Sequence, residues 1–323
     1  MRAVRIEEFG GPEVLRVTEL PDAEPGDGEL LVRVQRAGVN FGDTHQRENQ
    51  YVATRGLPFV LGGEVAGEVV AARHGFAEGQ RVVGLLETGG YAGLAAVAAA
   101  QTYLVPDGLD SDAALALLIQ GLTAWHLLRT SAHLMPGESV VVHSAAGGVG
   151  GLAVQLAKAF GAGRVIATAG SDGRRRQAIG LGADVSVDPD TEDLTAALVE
   201  ANGGEEVDVV LEPAGGRVFE HSLQALAPFG RLVAYGNSTR EKVRTSNAAL
   251  LKTSRAIVGF WLYHCLERRE MTEGPLGDLF ERVARGEVSP QLGETYPMTE
   301  VRRAHEDLAA RRTSGKLLLD PAK

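Results

Sequence analysis

The chain has 323 residues, 44% of them apolar, with 41 glycines and a net charge of −10. That length accommodates two domains with a well-buried core, and the acidic balance argues against nucleic acid as a partner. No segment reaches the ~20 apolar residues of a membrane-spanning helix, and Cys265 is the only cysteine, which excludes an internal disulfide and a multi-cysteine zinc centre and points to a reducing, cytoplasmic setting.

The opening "MRAVRIEEFGGPEVL" alternates apolar residues and carries early acids, so it reads as a first strand and not as a signal peptide. Up to about residue 105 the apolar runs are short and broken by glycine and proline. Residues 29–40 ("ELLVRVQRAGVN") and 59–72 ("FVLGGEVAGEVVAA") read as strands of an irregular β domain. Leu115, Leu118, Leu122 and Trp125 then fall at helical spacing after Ser111. The turn "HLMPGES" at 133–139 marks a domain entry.

From there the pattern changes. Residues 139–143 ("SVVVH") form a continuous β-branched run, as a buried parallel strand requires. After a glycine loop, Val149, Leu152, Ala153, Leu156, Ala157 and Phe160 share one helix face, which Gly161 ends. Further strands are expected at 164–168, 184–188, 207–211, 231–235 and 255–259. Strands alternating with helices imply a parallel sheet, here of six strands, the size of a dinucleotide-binding domain. Two amphipathic helices follow, beginning "PLGDLF" and "MTEVRR". The closing "GKLLLD" at 315–320 is expected to rejoin the first domain as a last strand. The fold class is therefore α/β, with a β domain over 1–122 and 262–323 and a Rossmann domain over 123–261.

The loop "SAAGGVGG" lies between a good strand and a good helix. Ala145, Gly147 and Gly150 take the three glycine places of G-x-G-x-x-G. The backbone N–H groups of Gly148, Val149 and Gly150, with the positive end of the helix dipole, suit a pyrophosphate. At the end of the second strand an NAD enzyme places an acid against the ribose 2′-hydroxyl. Here that position is Ala169, followed by Ser171 and then Arg174, Arg175 and Arg176. Small residues leave room for a 2′-phosphate and arginine binds it, so the cofactor is read as NADPH, with Ser171 and Arg174 as the favoured contacts. Asp172 points the other way electrostatically.

With these residues in view, the chain resembles the medium-chain dehydrogenase/reductase superfamily, and within it the zinc-independent quinone oxidoreductase branch that includes zeta-crystallin. The resemblance rests on "AGVNFGDTHQR" (37–47), "LGGEVAGEV" (61–69), "GLTAWHLL" (121–128), the strand–loop–helix of 140–162, "GRLVAYGNST" (230–239) and "GKLLLD". It implies a GroES-like β domain beside the Rossmann domain, an active site in the cleft between them, and a homodimer formed through the Rossmann sheet edge. Zinc relatives carry a ligand histidine within G-x-E-x-x-G; here the place is Gly63, between Gly62 and Glu64, and Asn40 lies close to where a ligand cysteine would be. A catalytic zinc needs several deprotonated ligands, so the site is expected to hold no metal, with Glu64 in a structural role.

Without a Lewis acid, reducing a quinone or enone is easier than oxidising an alcohol, because the acceptor is already electrophilic. The resemblance places Asn40 and Thr123 near the nicotinamide. Asn40 reads either as an amide donor there or as a polar strand-end cap, and Thr123 either holds the carboxamide or caps a helix turn. Tyr51 is the candidate proton or hydrogen-bond donor to substrate. Asp43 is expected to orient backbone. Asn237 sits at the carboxyl edge of the sheet, where ligands bind in such folds. Phe260 and Trp261 either wall the nicotinamide or pack between domains, and Lys316 lies near the cofactor or at a surface strand end. A 2-enoyl thioester reductase is the competing enzyme reading; a non-catalytic NADPH sensor or crystallin-like protein is the competing class.

Overall fold

The computed structural model describes residues 1–323. The first part of the chain forms β1 (Arg2–Ile6), β2 (Arg16–Glu19), β3 (Glu29–Val39), α1 (Phe41–Arg47), β4 (Phe59–Val60), β5 (Glu64–Val69), β6 (Arg81–Leu85), β7 (Leu94–Ala98), β8 (Thr102–Leu104) and α2 (Ser111–Ala116). The middle part opens with α3 (Leu122–His126), β9 (Ser139–Val142), α4 (Gly148–Ala159), β10 (Arg164–Thr168), α5 (Asp172–Gly180), β11 (Val185–Val187) and α6 (Leu194–Ala201). It continues with β12 (Val207–Glu212), α7 (Gly216–Ala225), β13 (Leu226–Ala234), α8 (Asn247–Thr253), β14 (Ala256–Gly259) and α9 (Tyr263–Leu266). The last part adds α10 (Glu270–Ala284), β15 (Leu292–Pro297), α11 (Val301–Ala309) and β16 (Lys316–Asp320).

Two compact units result. The first comprises Met1–Ile119, Leu266–Ala284 and Pro290–Lys323, and the second Gln120–Cys265 with Arg285–Ser289. These limits differ from the expected 122/123 and 261/262 by a few residues. The segment 285–289 joins the second unit because Gln155 on α4 grips Ser289 with both amide atoms. The Ser289 N–H donates to Oε1 at 2.7 Å, and Nε2 donates to the Ser289 carbonyl at 3.1 Å.

In the second unit all six strands are parallel, in the order β11-β10-β9-β12-β13-β14. Counted from β9 this is 3-2-1-4-5-6, the doubly wound dinucleotide-binding order. Val141, Ile166, Val210 and Leu232 from its strands pack with Leu194 and Leu198 of α6 in one buried cluster. β13 begins earlier than the sequence suggests, at Leu226, because its parallel pairing with β12 resumes after an irregularity between Val207 and Val209.

The first unit holds a seven-stranded sheet whose main path runs β15-β16-β3-β5-β6-β8, with β7 paired to β3, and a three-stranded sheet β2-β1-β4. The strand expected over 59–72 divides in two. Gly62 breaks it with φ +102°, and a Cβ there would lie 2.6 Å from the Tyr91 backbone nitrogen. Its core gathers Ile6, Leu15, Val32, Leu61, Val65, Tyr296 and Leu319. The closing strand β16 pairs antiparallel with β3 at Leu317↔Val39, Leu318↔Gly38 and Leu319↔Ala37, which returns the C-terminal segment to the first unit. α10 starts at Glu270, five residues before the expected start at Pro275, and Pro275 lies buried inside it. No helix is long and apolar enough to cross a membrane.

Candidate active site

The register of the first unit assembles a polar cluster on one face of β3. One step beyond Leu317↔Val39, Lys316 stands opposite Asn40. One step beyond Ala37↔Val65, Glu64 stands opposite Gly38. Side chains alternate along a strand, so positions 38 and 40 share a face. The outcome is a contact set of three side chains from three segments. The Lys316 ammonium donates to Glu64 Oε1 and, at 2.9 Å, to Asn40 Oδ1. Asn40 Nδ2 donates to Glu64 Oε1 at 2.7 Å, and Glu64 Oε2 accepts the Ile119 N–H at 3.0 Å. Glu64 and Lys316 have no accessible surface. Lys316 is therefore not at a surface strand end, because β16 starts inside the sheet with Glu64 as its counter-ion.

Asn40 is also the residue that precedes α1, and Asp43 braces it. The Asn40 N–H donates to Asp43 Oδ2 at 2.8 Å, and the Tyr91 hydroxyl donates to the same oxygen at 2.9 Å. Burial pushes the Asp43 carboxyl up to about 6, against the lowering effect of its hydrogen bonds and of Lys316. Behind Tyr91 stands His305, 3.4 Å away through Nε2, with Nδ1 3.0 Å from Arg47 Nη1. An arginine can only donate, so Nδ1 carries the lone pair and Nε2 the proton. Burial, then the Arg47 charge, holds the His305 ring down at about 3, so it stays neutral. Tyr51 sits against the first turn of α1, its ring edge 3.3 Å from where a Cβ on Gly42 would stand.

The second unit supplies the nucleotide cradle. Ser144 turns the chain out of β9 in the left-handed region, φ +54°. Gly147 then precedes α4, and Gly148, Val149 and Gly150 form its first turn. A Cβ on Gly150 would fall 2.3 Å from the Ser144 carbonyl oxygen, so only glycine allows this helix so near its strand. At Gly147 the only neighbour would be the same oxygen at 3.2 Å, which leaves the approach to the helix N-terminus open. Ala145 is fully buried behind the loop, and its N–H donates to the Thr168 carbonyl at 3.0 Å. This cradle fits the pyrophosphate of a dinucleotide: it has N–H donors and the helix dipole, with Gly147 open at its mouth and the Gln120 amide packed against Gly148.

Across the point where the strand order reverses, the loop after β12 is organised by Glu212, a residue the sequence reading missed. Its buried carboxylate accepts the N–H groups of Ala214 at 2.6 Å and Gly215 at 3.0 Å. Burial raises its pKa despite these bonds. Thr239 ties the next loop to this one, donating its hydroxyl to the Ala214 carbonyl at 2.8 Å. Asn237 lies between them, with Oδ1 2.5 Å from where a Gly215 Cβ would be. Glu212, Gly215 and Asn237, together with Phe219, Lys242 and Arg244, line a cavity at the carboxyl edge of β12 and β13. A strand ending in an acid and followed by proline and two glycines, "LEPAGG", was the available signal.

Ser171 caps α5, with its hydroxyl 3.4 Å from the Arg174 N–H. Arg175 turns inward to Asp188 at 2.7 Å, to the Ala169 carbonyl at 2.9 Å, and to Asp172. Thr123 is buried near the start of α3. Phe260 stacks on His126 with centroids 5.8 Å apart, and Trp261 stacks on Tyr263 at 4.9 Å. No three His, Cys, Asp or Glu side chains are grouped so as to hold a metal ion.

Comparison with known proteins agrees with this geometry. The family profile "Alcohol dehydrogenase GroES-like domain" matches residues 26–107, and "Zinc-binding dehydrogenase" matches residues 148–281. A quinone oxidoreductase of Pseudomonas aeruginosa is 36% identical over 99% of both chains. The chain belongs to the medium-chain dehydrogenase/reductase superfamily, in its quinone oxidoreductase branch. A 2-haloacrylate reductase of a Burkholderia species is 31% identical, over 99% of this chain and 98% of the relative. The crystal structure of Escherichia coli quinone oxidoreductase complexed with NADPH superimposes with a TM-score of 0.94 at 33% identity, covering 99% of this chain and all of that one. The superfamily's two-domain plan is thus the one seen here, a GroES-like unit and a Rossmann unit.

Proposed function

We propose that this protein is an NADPH-dependent reductase that passes hydride to a quinone or an α,β-unsaturated carbonyl without a metal ion. The observation that carries this reading is the identity of the groups around Asn40. Where zinc relatives use anionic or imidazole ligands, this chain has an amide held by a lysine and a glutamate. An ammonium in that place repels a divalent cation.

The backbone of Gly147, Gly148, Val149 and Gly150, with Ala145 behind it, would hold the pyrophosphate. Ser171 and Arg174 would take the 2′-phosphate, since Arg175 is committed to Asp188. Thr123, Asn237, Phe260 and Trp261 would bound the nicotinamide half. When bound, NADPH supplies the hydride. The chain's own residues then exclude water, orient the acceptor, and offer hydrogen bonds to the oxygen that gains charge, which is the step where positioned donors accelerate such a reaction. Asn40 and Tyr51 are the residues assigned to that task. The relatives named quinone oxidoreductase and 2-haloacrylate reductase support an electron-poor alkene or quinone as acceptor.

A homodimer through the free edge of β14 is part of this reading. β14 pairs only with β13, and Phe229 and Leu251, 81% and 77% exposed, lie at the same end of the sheet, where the Phe229 N–H donates to the Ser254 carbonyl. A cytoplasmic location accords with a single buried cysteine.

The test follows NADPH absorbance with 1,4-benzoquinone, 9,10-phenanthrenequinone and crotonyl-CoA. Turnover with either quinone is expected. Turnover confined to crotonyl-CoA would make it a thioester reductase. NADPH binding with no turnover on any acceptor would make it a sensor.

A further inference from the structure

Glu64 and Lys316 form an ion pair with no solvent exposure, 252 positions apart in the chain. Removing two charges from water costs several kcal/mol per ion, and apolar residues of similar size often serve stability as well. The fold nevertheless makes special room for the pair. A Cβ on Gly38 would stand 2.4 Å from Glu64 Oε1, so a residue with any side chain at that point of β3 would displace the carboxylate.

The pair acts on the Asn40 amide. Lysine can only donate and carboxylate can only accept. Lys316 on Oδ1 and Glu64 on Nδ2 therefore fix which end of the amide is oxygen and which is nitrogen. An amide held by neutral partners such as hydroxyls could sit either way round. We infer that Glu64 and Lys316 are positioning residues for the reduction, holding the Asn40 amide in a single sense at the reacting end of the site, and that Lys316 works through Asn40 and not on the cofactor. This rests on the proposed reduction, in which Asn40 lies beside the reacting groups.

The experiment is a double-mutant cycle in the intact enzyme, with 1,4-benzoquinone as acceptor. Lys316→Met and Asn40→Ala are each expected to lower kcat roughly 10- to 100-fold, the size of a misplacement effect, with little change in the Kd for NADPH. The double variant is expected to be no slower than Asn40→Ala alone. Losses that multiply, or a Kd for NADPH that rises with Lys316→Met alone, would overturn the inference. Should Lys316→Met fail to fold, Gly38→Ala keeps both charges while displacing the carboxylate, and the same cycle applies. A second readout needs no turnover. In protein labelled with 15N-asparagine, the side-chain resonance lost in Asn40→Ala identifies this amide. It is expected at two well-separated proton shifts in the native protein, converging in Lys316→Met. Equal spectra in both would sink the positioning role even if no acceptor were ever reduced, whereas absence of turnover with the amide signature intact would count against the reaction alone.

Discussion

Arg175 reaches back from α5 to Asp188 at the end of β11, 2.7 Å away, and binds the Ala169 carbonyl on the way. The same guanidinium meets Asp172. Of the run of three arginines, this one is occupied in fastening the helix to the sheet. The proposed reading gives the 2′-phosphate contact to its neighbour Arg174. Replacing Arg174 with alanine is predicted to reduce the NADPH/NADH ratio of kcat/KM on the order of 10- to 100-fold, the worth of a charge-assisted phosphate contact. Arg175→Ala should change that ratio far less. Steady-state kinetics with both cofactors decides, and the reverse ranking would refute the assignment.

The glycines of the nucleotide loop make separable demands. Gly150→Ala puts a methyl 2.3 Å from the Ser144 carbonyl, a backbone atom that cannot swing aside. It is predicted to destabilise the fold by about 1–3 kcal/mol, the usual size of overpacking, in urea titrations. Gly147→Ala meets only one neighbour, at 3.2 Å. Its stability should stay close to native while its Kd for NADPH rises, measured by fluorescence titration.

His143 bridges Thr168 Oγ1 at 2.8 Å and Ser222 Oγ at 2.7 Å, joining β9, β10 and α7 without exposure. Burial pushes its pKa down to about 4. The unfolded chain, at about 6.5, takes up the proton more readily. The stability from keeping this ring neutral is therefore present above pH 6.5 and is lost as pH falls towards 4. Linkage puts the loss between pH 7 and 5 at about 2 kcal/mol. Urea unfolding of His143→Leu, which lacks this titration, should show its stability gap to the native protein narrowing by that amount. A gap independent of pH would contradict the account.

The metal-free reading predicts that exhaustive dialysis against a chelator leaves quinone turnover unchanged. Gly63→His is a sharper probe. A Cβ there would make only ordinary contacts, 3.5 Å from Ile119 Cδ1 and the Leu86 carbonyl. The variant restores the imidazole at that place of the family motif without the other ligands of a zinc site, and elemental analysis should find no stoichiometric zinc. Zinc needed for activity in the native protein would end the proposal.

If the free edge of β14 is where two copies meet, Phe229→Asp should shift the molar mass in light scattering from dimer to monomer. A monomeric native protein would remove this part of the reading.

The second unit was legible because fully buried parallel strands are written as unbroken apolar runs, and "VVV" at 140–142 or "RVIAT" at 164–168 has little other use. The first unit was harder to read, since its strands are interrupted where backbones nearly touch. Gly62 splits one expected strand, and the cause is Tyr91, far along the chain. The loop glycines were readable as a local pattern. The grouping of Asn40, Glu64 and Lys316 was not, because it arises from antiparallel register between segments with no sequence proximity, and an isolated lysine at a strand start carries no mark of burial. Glu212 went unseen for a related reason: its partners are backbone N–H groups, which every residue has.

Gly38 stands one residue from the end of β3, flanked by β16 and β5, where a β-branched residue would ordinarily add rigidity and contact area. A directed-evolution campaign scored only on heat resistance would nevertheless be expected to keep that glycine, since added atoms would part a buried ion pair. Selection for endurance alone would thus preserve the space in which Lys316 and Glu64 align one amide.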